Sequence, residues 1–502
     1  MKLIDLLKEI EVKNKVGDLN LDITNIHSDS RKLKEGGLFI AINGFTKNGI
    51  EFIPSAIENG AKAIIVEPDV DINKLNLSYN IPIISVENTR KALAQAACAF
   101  YDYPAKKLKI IGVTGTKGKT TTTFMTKAIL EAHGYKVGLI GSIAVYIGKE
   151  KLYDTDRTTP ESIEIQENLA KMVKENVDIV ILEVSSQALM LDRVTGCDFE
   201  VGIFTNLSED HISPKEHPSM EHYFNTKLSL IEKAKYGVIN NDDEKTCTIP
   251  KLLPNKEITT FAIDNEADIK ANPSSLKITD SFIDFTINFN GKEEKIEASI
   301  PGRFSVYNAL GAISAASHFG VTADEIRLAL KDLKVLGRSE LVPNKLGLSI
   351  LIDYAHTPSS LESILLSVKS YAKKRIICAW GVGGDRDAAK RPVMGEISGR
   401  LADFTVLMSD QVRTEDPLKI LKEIEVGIIP TGKPYKIIVD RTEGIRYAIS
   451  IAEPGDVIVI PGLGNDLYLE KNGVKYPYDE RQVITKIIDE MINSGEKTPL
   501  IN

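Results

Sequence analysis

The chain has 502 residues, 43% of them hydrophobic and 26% charged, with a net charge of −8. That length calls for about three domains with ample cores, and the acidic balance argues against nucleic acid as a partner. Four well-separated cysteines (Cys98, Cys197, Cys247 and Cys378) form no C-x-x-C pair, so neither a metal cluster nor a disulfide frame is expected.

The first segment, MKLIDLLKEIEVKNK, is amphipathic and charged and lacks a signal-peptide core. No apolar run approaches the roughly 20 residues of a membrane span. A cytoplasmic protein without a membrane partner is expected. Residues 1–104 carry short strands and helices and end at YDYPAKK, where Pro104 and the charges read as a linker. From 105 to 337, strands such as KIIGV, VDIVILEV, VGIFTN and YGVIN alternate with helices. That is the rhythm of a mostly parallel sheet with crossover helices. The stretch from 255 to 300 alternates polar and apolar residues and predicts a β-hairpin. VLGRSE reads as a second hinge, at Gly337, before a further α/β module over 338–502. Its strands are LSILIDYA, RIICAW, ADFTVLM, YKIIV and DVIVIP. In such sheets functional residues gather at the carboxyl ends of the strands.

Residues 110–123, IIGVTGTKGKTTTT, run from a β-branched strand through a glycine turn into a helical pattern that stops at Gly134. A phosphate loop needs glycines to let backbone N–H groups close on the anion, a Lys for the terminal phosphates and a hydroxyl for Mg²⁺. Gly115, Gly118, Lys119 and Thr120 supply these parts at the start of a helix, whose dipole favours an anion. Val113 stands where the strict G-x-x-x-x-G-K-[ST] pattern has its first Gly, which leaves a tighter loop.

Glu183 ends VDIVILE and suits Mg²⁺. TNLSEDH brings Asn206, Asp210 and His211 to the same edge. Lys227, in MEHYFNTKLSLIEK, reads by itself as a solvated surface lysine. In the last module Arg386 of GGDRDAAKRP is a forked donor suited to a carboxylate or phosphate. Asp410, Arg413 and Asp466 follow strands and either line the same crevice or are ordinary loop polarity. There is no G-x-S-x-G elbow and no Cys/His pair for nucleophilic catalysis. The pattern points to ATP-driven joining of an acid to an amine through an acyl phosphate, which hinges near Pro104 and Gly337 would shield from water.

GVTGTKGKTTTT, RTTPES, LEVSSQALMLDRV, TNLSEDH, PGRFSVYNAL, GRSE, DYAHTP and GGDRDAAKRP together resemble the successive motifs of the Mur ligase family. HSDSRKLKEGGLFIAINGFTKNG, followed by IPSAIENGAKAIIVE, is similar to the UDP-binding module of its third-residue-adding branch. The resemblance implies an α/β fold in three domains: a small UDP-binding domain (1–104), a central P-loop ATPase-like domain with a parallel sheet (105–337) and a Rossmann-like amino-acid-binding domain (338–502). It implies ATP and Mg²⁺ as cofactors, and UDP-N-acetylmuramoyl-L-alanyl-D-glutamate and a free amino acid as substrates of a monomeric enzyme.

The implied roles are specific. Ser28, Ser30, Phe45, Thr46 and Lys47 would hold the uridine end. Thr158, Thr159, Ser185 and Arg193 would position the muramoyl-dipeptide. Gly115, Thr116, Lys117, Gly118, Lys119, Thr120 and Thr121 would bind ATP, with Asn308, Arg338, Asp353 and His356 around it. Thr120 and Glu183 would hold one Mg²⁺ and His211 a second, and Lys227 falls where the family carries a carbamoylated lysine, a further metal ligand. Lys119, His211 and Lys227 are thereby cast as catalytic.

Arg386, Asp410, Gln411, Arg413, Gly462 and Asp466 would receive the amino acid. Here the markers divide. GTKGK and EVSSQ, with Lys117 and Gln187, resemble the L-lysine branch, whereas Arg413 of SDQVR matches the arginine that grips the distal carboxylate of meso-diaminopimelate. Gln411 and Val412 depart from the family's D-N-P-R, and Gly462-Leu463-Gly464-Asn465-Asp466 departs from its G-K-G-H-E. Two alternatives stand beside this reading: a ligase acting on another carrier, such as a pseudomurein precursor, and a nucleotide-binding regulator without turnover.

Overall fold

A computed structural model describes residues 1–44, 47–68, 81–213 and 216–499. Phe45 and Thr46, expected at the uridine end, lie outside the described residues. The chain divides into two compact units, Met1–Phe261 with Gly311–Val321, and Ala262–Leu310 with Thr322–Asn502.

The first unit opens with a five-stranded sheet: β1 (Val12–Val16), β2 (Asn25–His27), β3 (Gly37–Ile40), β4 (Ala61–Val66) and β5 (Ile83–Val86), in the order β1-β5-β4-β3-β2. All pairs are parallel except β1 with β5. Both β3 and β5 are buried along their whole length, as expected of parallel strands covered on both faces. The helix Thr89–Phe100 follows, its start fixed by the Asn88 side chain accepting the Lys91 N–H.

A larger sheet then holds β6 (Lys109–Thr114), β7 (Val137–Ile140), β8 (Ala144–Ile147), β9 (Glu150–Asp154), β10 (Ile179–Glu183), β11 (Phe199–Phe204), β12 (Tyr236–Asn240) and β13 (Glu257–Ala262). Their order is β13-β12-β11-β6-β10-β7-β8-β9, parallel from β13 to β7. The strand β6 lies between β10 and β11, and register pairs Val113 with Glu183 and Thr114 with Phe204. Three strands therefore end level with one another, which brings the glycine turn, Glu183 and Asn206 to one edge.

The insert is shorter than the alternation over 255–300 implied. ITTFA continues the parallel sheet as β13, with its last two residues buried. The hairpin proper is β14 (Ile283–Phe289) with β15 (Lys292–Ala298), which pairs Phe285 with Ile296 across the tip at Asn290-Gly291. Both tip residues have positive φ, the twist-matched two-residue turn.

The second unit is built on β16 (Ser349–Asp353), β17 (Ile376–Trp380), β18 (Phe404–Leu407), β19 (Tyr435–Ile437) and β20 (Val457–Pro461), all parallel in the order β16-β20-β17-β18-β19. Glu340–Leu341 adds a short antiparallel edge to β16. Leu361, Met394 and Leu421 belong to one apolar cluster, and Ile350, Ile377, Ile445 and Ile484 to another, so helices cover both faces of the sheet. A hairpin, β21 (Tyr468–Lys471) with β22 (Val474–Pro477), follows the last strand. Among the described residues no helix is long and apolar enough to cross a membrane.

Candidate functional site

The glycine turn leaves β6 and enters the helix Lys119–Ala132. Gly115 has φ +140° and Gly118 has φ +85°. A Cβ on Gly115 would stand 1.9 Å from Thr205 Oγ1, so both conformation and space demand glycine there. Asn206 shapes the loop: its carbonyl accepts the Thr116 N–H at 2.9 Å, and its side chain accepts from Lys117 N and donates to Lys117 O. The Lys119 ammonium donates to the carbonyls of Gly115 and Thr116 at 2.9 and 3.1 Å, across the mouth of the loop. Lys117 pairs with Asp210 at 3.0 Å. Thr121 is buried in the first turn of the helix.

Glu183 is fully buried at the end of β10. It accepts from the Thr120 hydroxyl at 3.1 Å, from Ser142 N at 3.0 Å and from the Ser142 hydroxyl at 2.9 Å. Gly141 makes room for it, since a Cβ there would lie 2.3 Å from Glu183 Oε1. With its proton on Glu183, the Ser142 hydroxyl accepts from the Thr158 hydroxyl at 3.1 Å. Thr159 donates to the Glu183 carbonyl at 2.8 Å and accepts the Ser185 N–H at 3.0 Å. Ser185 caps the short helix Ser186–Met190. Arg193 donates to the Thr159 carbonyl at 3.2 Å and pairs with Glu161 at 3.0 Å. The fork of Arg193 is thus tied into the loop that presents Thr158 and Thr159.

Lys227 does not behave as a surface lysine. It is 1% exposed, on the helix Met220–Lys233. Its ammonium donates to the Gly115 carbonyl at 2.9 Å and lies 4.8 Å from the centre of the Tyr223 ring. Burial, and then the charge of Lys119, push its pKa well below the ordinary lysine value. His211 has φ +59° and faces Glu216 at 3.3 Å, which also accepts from the Gln187 amide. Lys227, Thr120 and Glu183 therefore sit around one loop, with His211 on the segment that follows β11. Among the described residues no three His, Cys, Asp or Glu side chains converge as a closed metal cage. A hydroxyl and one buried carboxylate at a phosphate loop fit Mg²⁺, which keeps waters and phosphate oxygens as its other ligands.

The N-terminal residues are placed separately. Ser28 is half-buried after β2, Ser30 is buried and opens the turn Ser30–Lys32, and Lys47 is exposed.

In the second unit the expected residues gather at the carboxyl ends of the sheet. Asp353, at the end of β16, accepts the N–H groups of Ser339 at 2.7 Å and Ala355 at 2.9 Å, while burial raises its pKa. The Arg338 guanidinium lies 4.5 Å from the centre of the Tyr354 ring. His356 contacts the Tyr354 carbonyl through Nδ1 at 2.7 Å. Asn308 is buried on the helix Arg303–Ser317. Asp410 follows β18 and is buried, which raises its pKa although Arg441 lies 3.8 Å away. The Gln411 amide donates to Asp466 at 3.0 Å. Arg413 donates to the Gly384 carbonyl at 2.6 Å and reaches Glu470 at 3.5 Å. Gly462 donates its N–H to the Asp353 carbonyl at 3.0 Å. Arg386 is exposed, apart from this network.

Several supporting residues escaped sequence reading. Ser142 follows β7, and the rule of strand carboxyl ends applied to VGLIGS would have found it. Arg441 is fully buried, bonds Glu480 at 2.7 Å and the Ser409 carbonyl at 3.2 Å, and thereby fixes the loop after β18. Arg391, equally buried, takes Glu415 through both terminal nitrogens at 2.9 and 2.8 Å, holding the loop beside Arg413. Both arginines lie on helices, where nothing in the pattern separates a buried charge from a solvated one.

Fold and site together define a three-domain α/β enzyme with a glycine turn of phosphate-loop form at the start of a helix, and a second set of strand-end residues in its last sheet. Three family models match it: the Mur ligase family catalytic domain over residues 22–101, the Mur ligase middle domain over 113–316 and the Mur ligase glutamate ligase domain over 337–464. The chain belongs to the Mur ligase family. A protein of Clostridium tetani named UDP-N-acetylmuramoyl-L-alanyl-D-glutamate--2,6-diaminopimelate ligase is 44% identical over 98% of this chain and 100% of its own length. One of the same name from Caldanaerobacter subterraneus subsp. tengcongensis is 42% identical over 98% of this chain and 99% of its own. A solved structure of a ligase with that name is 28% identical, with a TM-score of 0.68 over 98% of this chain and 99% of its own. The MurF ligase of Thermotoga maritima in complex with ADP, at 17% identity, shares the fold with a TM-score of 0.62 over 94% of this chain and 98% of its own.

Proposed function

We propose that this chain is an ATP-dependent ligase that joins 2,6-diaminopimelate to UDP-N-acetylmuramoyl-L-alanyl-D-glutamate in peptidoglycan precursor synthesis, working as a monomer of three modules, 1–104, 105–337 and 338–502. The observation that carries the ATP-driven chemistry is the buried Thr120–Glu183 contact beside the Lys119 loop, a phosphate cradle with a carboxylate at its edge. The names of the relatives support diaminopimelate over lysine, as does Arg413, whose fork suits a distal carboxylate that lysine lacks.

In this reading the loop N–H groups and Lys119 hold the triphosphate, while Thr158, Thr159, Ser185 and Arg193 orient the muramoyl-dipeptide. A carboxylate oxygen of the D-glutamate attacks the γ-phosphorus as the bond to ADP breaks, which gives an acyl phosphate. The amine of the incoming amino acid attacks the acyl carbon, inorganic phosphate leaves and the nitrogen loses its proton. Lys119 offsets charge on the transferring phosphoryl group. Mg²⁺ ions, one held by Thr120 and Glu183 and a second by His211, with carbamoylated Lys227 as a further metal ligand, would supply further charge neutralisation on the phosphates. The depressed pKa of Lys227 favours the neutral amine, whose nitrogen bonds the carbon of CO₂ and releases a proton to give a carbamate.

Phosphate release, measured with ATP, Mg²⁺ and UDP-N-acetylmuramoyl-L-alanyl-D-glutamate against meso-diaminopimelate, L-lysine, L-ornithine and lanthionine in turn, tests this. Release with diaminopimelate supports the reading. Release with lysine alone replaces the amino acid. Silence with all four, in protein that still binds ATP, overturns the substrate assignment and turns attention to a pseudomurein-type carrier or a regulator.

A further inference from the structure

Arg413 does not stand alone. Its Nε lies 3.5 Å from Glu470 Oε2, and the two side chains are 23% and 25% exposed, so both remain open to a ligand. The backbone enforces the pairing. Arg413 donates its N–H to the Glu470 carbonyl at 3.0 Å, and the Arg413 carbonyl accepts from Asn472 N at 2.7 Å. Glu470 N donates to the Gln411 side-chain oxygen at 3.2 Å. The loop after β18 is thereby stitched to β21, with an arginine and a glutamate side by side.

The neighbouring acids are occupied elsewhere. Asp466 accepts the Gln411 amide at 3.0 Å, and Asp410 is buried, accepting the Gln411 N–H and facing Arg441. A ligand whose far end is a bare carboxylate meets Glu470 repulsion next to the Arg413 attraction. One whose far end is a bare ammonium meets the reverse. A carbon bearing both groups satisfies both side chains at once.

We propose that Glu470 is a specificity-determining residue that reads the distal ammonium of a diamino dicarboxylic acid while Arg413 reads the carboxylate on the same carbon. The assignment rests on the amino-acid ligase reading above and deepens it. Glu470 thereby rejects diacids that lack a second amine, which an arginine alone would admit.

The test compares kcat/KM for meso-diaminopimelate, for 2-aminopimelate (the same diacid without the distal amine) and for L-lysine, in the full-length wild type and in Glu470→Gln. The substitution keeps size and hydrogen bonding and removes the charge. The wild type should prefer diaminopimelate over both analogues. Glu470→Gln should narrow the preference over 2-aminopimelate by about tenfold, the scale of one charge-assisted hydrogen bond, with the KM for ATP unchanged. A ratio within twofold of wild type, or an equal fall for all three amino acids, would overturn the role of Glu470 and leave the ligase reading standing. A wild type inactive with all three would overturn the ligase reading itself.

Discussion

The ammonium of Lys227 donates to the carbonyl of Gly115 at 2.9 Å, from a helix more than a hundred residues further along the chain. A buried lysine thus touches the phosphate loop itself. Among the described residues no carboxylate forms an ion pair with it. Such a group is costly to keep as a cation and is readily neutral.

Lys227→Ala should therefore lower ligase turnover by on the order of 100-fold, the scale seen when a metal-orienting group is lost. Short carboxylic acids such as formate, by standing in for a carbamate, should restore part of the rate. Turnover assays with and without the added acid measure this, and full activity in the unsupplemented variant would remove Lys227 from the site.

Gly115→Ala places a methyl group against Thr205 Oγ1 in a backbone conformation that alanine avoids. The loop must shift, at a cost of about 1–3 kcal/mol. Calorimetric titration with ADP should show a loss of affinity well beyond any fall in Tm. Wild-type affinity would mean that the loop tolerates the methyl group.

Arg413→Ala should raise the KM for diaminopimelate by about 10- to 100-fold, the equivalent of one lost charge-assisted interaction. The KM for ATP should stay within twofold. If diacid kinetics do not change, the distal carboxylate is held elsewhere.

His217 is fully buried, with Nδ1 2.9 Å from His222 Nδ1 and Nε2 2.9 Å from the Ser186 hydroxyl. Burial first, and then the neighbouring His222, lower its pKa to about 4. The native state thus binds a proton less readily than the unfolded chain, where the ordinary value of 6.5 applies. Its contribution to stability is present above pH 6.5 and is lost as the pH falls from there to about 4. The loss is about 3 kcal/mol. Thermal melts of wild type and His217→Gln across this range should converge at the acid end, and a constant gap in Tm would refute the titration.

The strands of both large sheets were legible because parallel strands buried on both faces read as unbroken apolar runs, as KIIGV and DVIVIP do. The glycine turn was legible because its backbone geometry restricts which residues it can use. Glu183 followed from its place at the end of such a run. Lys227 could not be read this way: MEHYFNTKLSLIEK has the amphipathic pattern of a surface helix, and its burial comes from packing against a loop distant in sequence. The segment 257–262 was misread for the opposite reason. Only its last two residues are buried, so its mixed polarity resembles the hairpin that follows. The Glu470–Arg413 pair depends on the seating of one turn against another, which local pattern does not encode.

The close approach of Gly141 to the Glu183 carboxylate ties the evolution of the two codons together. While glutamate occupies 183, any side chain at 141 would stand 2.3 Å from its Oε1, so the carboxylate would have to swing away from its Ser142 partners to admit one. Shortening 183 to aspartate would withdraw the carboxylate by one methylene and open 141, but would also carry the acid away from Thr120. Change at 141 therefore has to come second, after a relocation of the acid that the phosphate site itself resists.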